Sequence, residues 1–157
     1  MAADPEANRG NPELPRPACQ ALLLCDYAIR EQLTNKTSAV GIFDRIQGQD
    51  FPLIWAHRAF VYARVTDAQG RYPFRLDLVR LRDEQSVGRI EWTFELADRI
   101  GSYDLLFPIN GMRFETPGTY EFQLFADING GGAGQPDFRF VGGMRLNVLE
   151  IKQGGQS

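Results

Sequence analysis

The chain has 157 residues, with 20 acidic and 17 basic side chains for a formal charge of -3, 43% hydrophobic residues and one histidine. That length fits one globular domain, and by area scaling it buries roughly 70% of its unfolded surface, enough for a core without metal or disulfide staples. The mildly acidic balance offers no clustered basic face for nucleic acid or anionic lipid, and one His with two Cys cannot complete a four-ligand Cys/His zinc site.

Residues 1–17, MAADPEANRGNPELPRP, hold four prolines and no apolar run. They read as a disordered leader and lack the hydrophobic stretch of a signal peptide or membrane anchor. A domain over residues 18–151 follows, then a flexible tail over 152–157. Ala18 to Leu33 reads two ways. As a helix it lines Leu22, Cys25, Ile29 and Leu33 along one side. As a strand it leads into Thr34-Asn35-Lys36-Thr37, which has the composition of a hairpin tip with Asn35 suited to positive φ. With Asn35 and Lys36 as a two-residue loop, Asp26 faces Arg45 and Tyr27 faces Asp44, so the polar residues of both strands meet. On such a strand Cys19 and Cys25 lie roughly 20 Å apart, beyond the 7 Å or so that a disulfide spans. They are expected as free, buried thiols in a reducing cytoplasm.

Further along, Ala39 to Gln47 groups Val40, Ile42 and Ile46, with Asp44 the exception. Trp55 to Thr66 sets Ala59, Val61, Ala63 and Val65 against Phe60, Tyr62 and Arg64. Phe74 to Leu78 alternates and then shifts phase through Val79 and Arg80, which predicts a β-bulge or an end covered on both faces. Arg89 to Leu96 is the cleanest strand, with Ile90, Trp92, Phe94 and Leu96 on one face. Tyr103 to Phe114 groups Leu105, Phe107 and Ile109 around Pro108, which demotes it to an edge or bulge. Thr119 to Ala126 points Tyr120, Phe122, Leu124 and Ala126 inward after the Pro117-Gly118 turn, and Phe138 to Ile151 closes the domain across Gly142-Gly143. Turn clusters at 66–70, 82–86, 97–102 and 127–137 separate these runs. Strands so spaced, with no sustained helical stripe, predict an all-β antiparallel sandwich or barrel.

Leu24-Cys25-Asp26-Tyr27-Ala28, Val40-Gly41-Ile42-Phe43-Asp44-Arg45-Ile46, Phe51-Pro52 and Pro117-Gly118-Thr119-Tyr120-Glu121-Phe122 resemble the landmarks of a family of short bacterial proteins known as a domain of unknown function. The resemblance spans roughly residues 18–151. It implies an immunoglobulin-like β-sandwich of seven or eight strands, with Cys25-Asp26-Tyr27 on the first strand and Gly-x-Phe-Asp on the second. The Pro-Gly-x-Tyr-x-Phe element is common to many sandwiches, where the Tyr enters the core near a strand start. No activity, cofactor or catalytic residue comes with the resemblance.

Candidate chemistry is sparse. His57 is the sole neutral-pH base, yet no nucleophile elbow accompanies it. Asp26, Tyr27, Asp44 and Arg45 interrupt apolar strands, and a cross-strand polar group that sets register competes with carboxylate chemistry at that place. Asp127, Asn129 and Asp137 bring oxygen side chains to a glycine-rich loop, but the calcium-loop spacing with its terminal Glu is missing. The 15 arginines alternate with acids, as in Arg75/Asp77 and Arg89/Glu91, which predicts a solvated, mixed-charge sheet face. Trp55, His57 and Tyr103 are the aromatic and polar candidates for a small ligand or carbohydrate.

The sequence reads as a non-catalytic, cytoplasmic protein-binding or assembly module without cofactor. It is expected to act on a protein partner or a second copy through a sheet edge or its end loops. A small-ligand binder and an enzyme built around Asp26 and Asp44 are the alternatives.

Overall fold

The computed structural model describes residues 13–152. Nine strands occupy the described residues, where seven or eight were expected: β1 (Ala18–Arg30), β2 (Thr37–Phe43), β3 (Arg45–Gly48), β4 (Leu53–Thr66), β5 (Gly70–Arg80), β6 (Gln85–Leu96), β7 (Tyr103–Phe114), β8 (Gly118–Asp127) and β9 (Phe138–Glu150). They form a four-stranded sheet in the order β2-β1-β4-β7 and a five-stranded sheet in the order β3-β9-β8-β5-β6. The pairs are antiparallel except β3 with β9, which is parallel.

The extra strand comes from a change of sheet. Ala39 to Gln47, read in the sequence as one run, divides at Asp44. Val40 and Ile42 stay on the four-stranded sheet and are exposed, whereas Ile46 is buried beneath the other. The Asp44 carbonyl accepts the Asn147 N–H at 2.8 Å, tying the crossing point to β9.

Alternation sets the core. Ala59, Val61, Ala63 and Val65 of β4 are buried, as are Leu105, Phe107 and Ile109 of β7 and Tyr120, Phe122, Leu124 and Ala126 of β8. The small alanines and valines of β4 leave room for the rings that project from the facing sheet. Phe94 of β6 sits edge-on to Phe107 of β7 at 5.6 Å and to Phe74 of β5 at 5.8 Å, a geometry that adds to plain area burial. β7, which carries Pro108, is an edge strand as expected. The phase shift after Leu78 is a β-bulge between Leu78 and Val79, and both residues are buried.

The N-terminal boundary moves. Residues 1–12 of the expected leader and 153–157 of the expected tail lie outside the described residues. The last part of that leader is docked onto the domain. The Leu14 N–H donates to the Ile128 carbonyl at 2.8 Å, the Tyr72 hydroxyl donates to the Pro15 carbonyl at 2.7 Å, and Arg16 Nε donates to the Phe140 carbonyl at 3.1 Å. Leu14 also packs against the core, so the folded domain reaches back beyond Ala18.

The first hairpin is a strand pair, which excludes the helix, but its register differs from the expected one. Leu24 pairs with Phe43 and Tyr27 with Val40, so the loop is six residues long, not two. Within it Asn35 adopts φ 57°, and its N–H donates to the Glu31 carbonyl at 2.9 Å. The slip of four positions preserves which residues share a face, because side chains repeat every two residues.

Candidate functional site

The shifted register separates the polar group of the first hairpin. Asp26 lies across from Gly41, which has no side chain to meet the carboxylate; a Cβ at that position would collide with Asp26, and the φ of 71° separately favours glycine there. Tyr27 faces Val40 and not Asp44. Asp26 and Arg45 line one shallow surface hollow with Phe43 and Trp55, and no ion pair joins them. The expected register-setting pairs are therefore not formed.

The aromatic candidates also part. Trp55 lies edge-on to His57 at 5.2 Å and near Phe43 at 5.6 Å, at the start of β4. His57 is exposed beside a bulge between Trp55 and Arg58. Tyr103 pairs with Val65 at the opposite end of β4, roughly 30 Å away at strand rise. Its hydroxyl accepts the Asp98 N–H at 2.7 Å and donates to the Asp98 carbonyl at 2.9 Å, pinning the 97–102 turn.

In the glycine-rich loop, Asp127 is buried and its carboxylate is filled by main-chain donors. The N–H groups of Asn129 and Asp137 reach it at 2.9 Å each and that of Gly131 at 3.3 Å. Asn129 Nδ2 donates to the Gln135 carbonyl at 3.0 Å, and Asp137 pairs with Arg139 at 2.9 Å. These side chains build the loop. Among the described residues no group of three His, Cys, Asp or Glu is arranged to hold a metal.

The two outer faces of the sandwich differ in chemistry. On the five-stranded sheet, buried Asp77 holds Arg89 across the strands at 2.8 Å and Arg75 at 3.3 Å. The Arg75 guanidinium lies 4.6 Å from the rings of Phe125 and Phe138 alike. Glu91, Glu121 and Arg145 continue this face along the paired strands, as the mixed-charge expectation required.

The four-stranded sheet turns apolar residues outward. Tyr27 is 65% exposed, Ile29 57%, Val40 49% and Ile42 62%. The register places them beside Leu23 and Cys25 of β1, Phe60 and Tyr62 of β4, and Leu106 and Pro108 of β7. Polar groups stand at the margins. Arg58 lies over Phe60 at 5.2 Å. At the far end, Asp104 accepts from the Tyr62 hydroxyl at 2.6 Å and pairs with Arg64 at 3.5 Å, while Arg30 caps the Asp104 carbonyl at 2.7 Å. Burial and the Asp104 carboxylate push the Tyr62 hydroxyl up to about 12. Burial also raises the Cys25 thiol, with the Asp26 charge adding to it, so it stays protonated and unreactive.

Sequence reasoning passed over this face, although a signal was present. In β1 the inward row, Leu22 and Leu24, and the outward row, Leu23, Cys25, Tyr27 and Ile29, are both apolar. Alternation therefore fades, and the fading is what made Ala18 to Leu33 ambiguous with a helix. A strand with two apolar rows has a second surface to cover. The adjoining edge β2 contains no charged residue and no proline in Thr37–Phe43, whereas edge strands are ordinarily protected by such residues.

The model of a family of unknown function (DUF6941) matches residues 20–129. The match takes in the first hairpin, the change of sheet and β4 to β8, and no curated protein matches the chain.

Proposed function

We propose, taking as premise that the chain belongs to this family of unknown function, that the protein is a non-catalytic binding or assembly module that engages a protein partner through the outer face of its four-stranded sheet. The single observation that carries this reading is the apolar centre of that face within a polar, arginine-bearing margin, the layout of a protein interface. Contiguous apolar surface of this kind marks interaction sites on soluble proteins. Covering one exposed Ile or Tyr fully contributes up to about 1.5–3 kcal/mol before the cost of association. The uncharged β2 edge adds main-chain donors and acceptors beside it for a partner strand.

The immunoglobulin-like character belongs to the same proposal. The run β9-β8-β5-β6 follows the G-F-C-C′ order of variable-type domains, and β4 beside β7 follows B beside E. Tyr120 lies at the start of β8, fully buried, and its hydroxyl donates to the Thr116 carbonyl at 2.6 Å, as in a tyrosine corner. β1, inserted between β2 and β4, departs from that plan, neither β4 nor β8 holds a cysteine for an inter-sheet disulfide, and the two cysteines, both on β1, are free thiols. Those thiols support a reducing, cytoplasmic setting.

A photocrosslinking residue in place of Tyr27, introduced in cells, tests the binding reading. The expected result is an adduct of one defined mass that disappears with Ile42→Asp. The reading fails if position 27 yields no adduct beyond that of a control at Glu91 on the opposite face.

A further inference from the structure

We infer that the free edge of β2 pairs with β2 of a second copy of the chain, antiparallel and centred on Val40, so that two four-stranded sheets join into one continuous sheet. The inference rests on the binding reading above for its choice of edge, and it names the partner strand.

A two-sheet sandwich has two seams and four edge strands. Here one seam is closed by the chain itself, which crosses at Asp44 between β2 and β3, and the other lies between β6 and β7, which share no ladder. Three of the edges are guarded against pairing with another chain. β3 is four residues long, β6 carries Arg89, Glu91 and Glu95, and β7 carries Pro108 together with Asp104 and Arg113. Shortness, charge and proline are the ordinary protections of an edge. β2 has none of them, being seven uncharged residues without proline. Its ladder to β1 runs from Thr37 to Phe43 without a shift of register, so the strand keeps its line through Gly41 in spite of the positive φ there. The edge it offers is about 23 Å long at strand rise.

The same segment is complementary to itself. When a strand pairs with its own copy about a two-fold axis, residue i faces residue j and j faces i. Thr37 and Phe43 lie equally far from Val40, so a pairing centred there sets the whole of β2 against the whole of its copy. Val40 then meets Val40 of the second copy, Ser38 meets Ile42, and Ala39 meets Gly41. One step beyond each end of the strand stand Lys36 and Asp44, again equally far from Val40. In this register and no other, Lys36 of each copy lies opposite Asp44 of the other, which gives the symmetric join two contacts of opposite charge. Both residues are exposed, and neither belongs to an ion pair among the described residues. Ser38, Val40 and Ile42 are the exposed row of β2, so the apolar outer face of one copy continues into that of the next. A join of this length is small beside the roughly 1,200–2,000 Å² of a stable interface, which makes the dimer reversible, with a Kd on the order of 10–100 µM.

Sedimentation of the full chain over concentrations that span this Kd should show reversible passage from monomer to dimer. Lys36→Glu sets like charges opposite one another and should weaken the dimer roughly ten-fold, Asp44→Lys should do the same, and the two together should restore it. Register is read with cysteine, because opposite residues of an antiparallel pair lie about 4.5–5.5 Å apart, within the reach of a disulfide. Val40→Cys should bridge two copies under mild oxidation, whereas Ser38→Cys, roughly 14 Å from its counterpart in this register, should not. The parent chain, with Cys25 buried and Cys19 partly buried, sets the background. The proposal is overturned if the chain stays monomeric up to millimolar concentration, if the charge exchange does not restore what the single reversals remove, or if Ser38→Cys bridges as readily as Val40→Cys. Should a charge reversal unfold the chain, the cysteine pair decides the matter. A monomeric chain that still yields an adduct at position 27 ends the self-pairing and leaves the face reading standing, and a bridge at position 40 without any adduct at position 27 does the reverse.

Discussion

Tyr62 and Asp104 show what a polar pair at the margin of an apolar face contributes. The phenol is half-buried and donates to Asp104 at 2.6 Å, so its neutral form is favoured and its pKa rises to about 12, first by burial and then by the carboxylate. A raised folded-state pKa gives stability that is whole below the unfolded tyrosine value near 10 and is lost as pH climbs through about 12. In an ultraviolet titration Tyr62 should therefore ionise above the ordinary tyrosine value near 10, and Asp104→Asn should bring its midpoint down. An unchanged midpoint would remove Asp104 as a cause. Asp127 marks the limit of sequence reading at this scale. Composition placed an oxygen ligand in a glycine-rich loop, but the direction of its lone pairs follows from how the loop folds, and they point at three main-chain N–H groups.

Most strands were legible because one row faces the core and the other faces water. Ala59 to Val65, Ile90 to Leu96 and Tyr120 to Ala126 alternate cleanly, and the structure buries the rows so marked in β4 and β8, while on the edge strand β6 only Leu96 is buried, Ile90 and Phe94 are partly buried and Trp92 is half exposed. Register was not legible. Loop length sets which residues face one another, and a six-residue loop in place of two moves every partner of β1 by four while keeping faces intact. Asp44 hides the change of sheet for a related reason: a run of β-forming residues does not say which sheet each half joins. The Pro117-Gly118 turn and Tyr120 were legible together, and their hydrogen bond gives a direct expectation. Tyr120→Phe keeps the ring against Phe114, at 4.9 Å, but leaves the Thr116 carbonyl without its donor. It should cost about 1–2 kcal/mol in chemical denaturation with the slope unchanged, and a cost near zero would show that the corner is not held by this bond.

Across the whole molecule the two seams are unequal, and local stability should follow. β5 and β8 are hydrogen-bonded on both sides, whereas β6 has β5 alone and exposes most of residues 85–93. Deuterium exchange should therefore be slowest in β8 and β5 and fastest in β6 among the strands of the larger sheet; protection of β6 equal to that of β8 would mean that the seam is shut. The closed seam has a temporal consequence. β3 pairs with β9 across roughly 100 positions of sequence, the kind of non-local contact that slows folding. During synthesis the first hairpin and β4 can assemble early, but the five-stranded sheet has no partner for β3 until the final strand leaves the ribosome. Through that interval, at about 5–20 residues per second, the uncharged β2 edge stands beside an unfinished core, and chaperone occupancy of nascent chains should persist until β9 emerges.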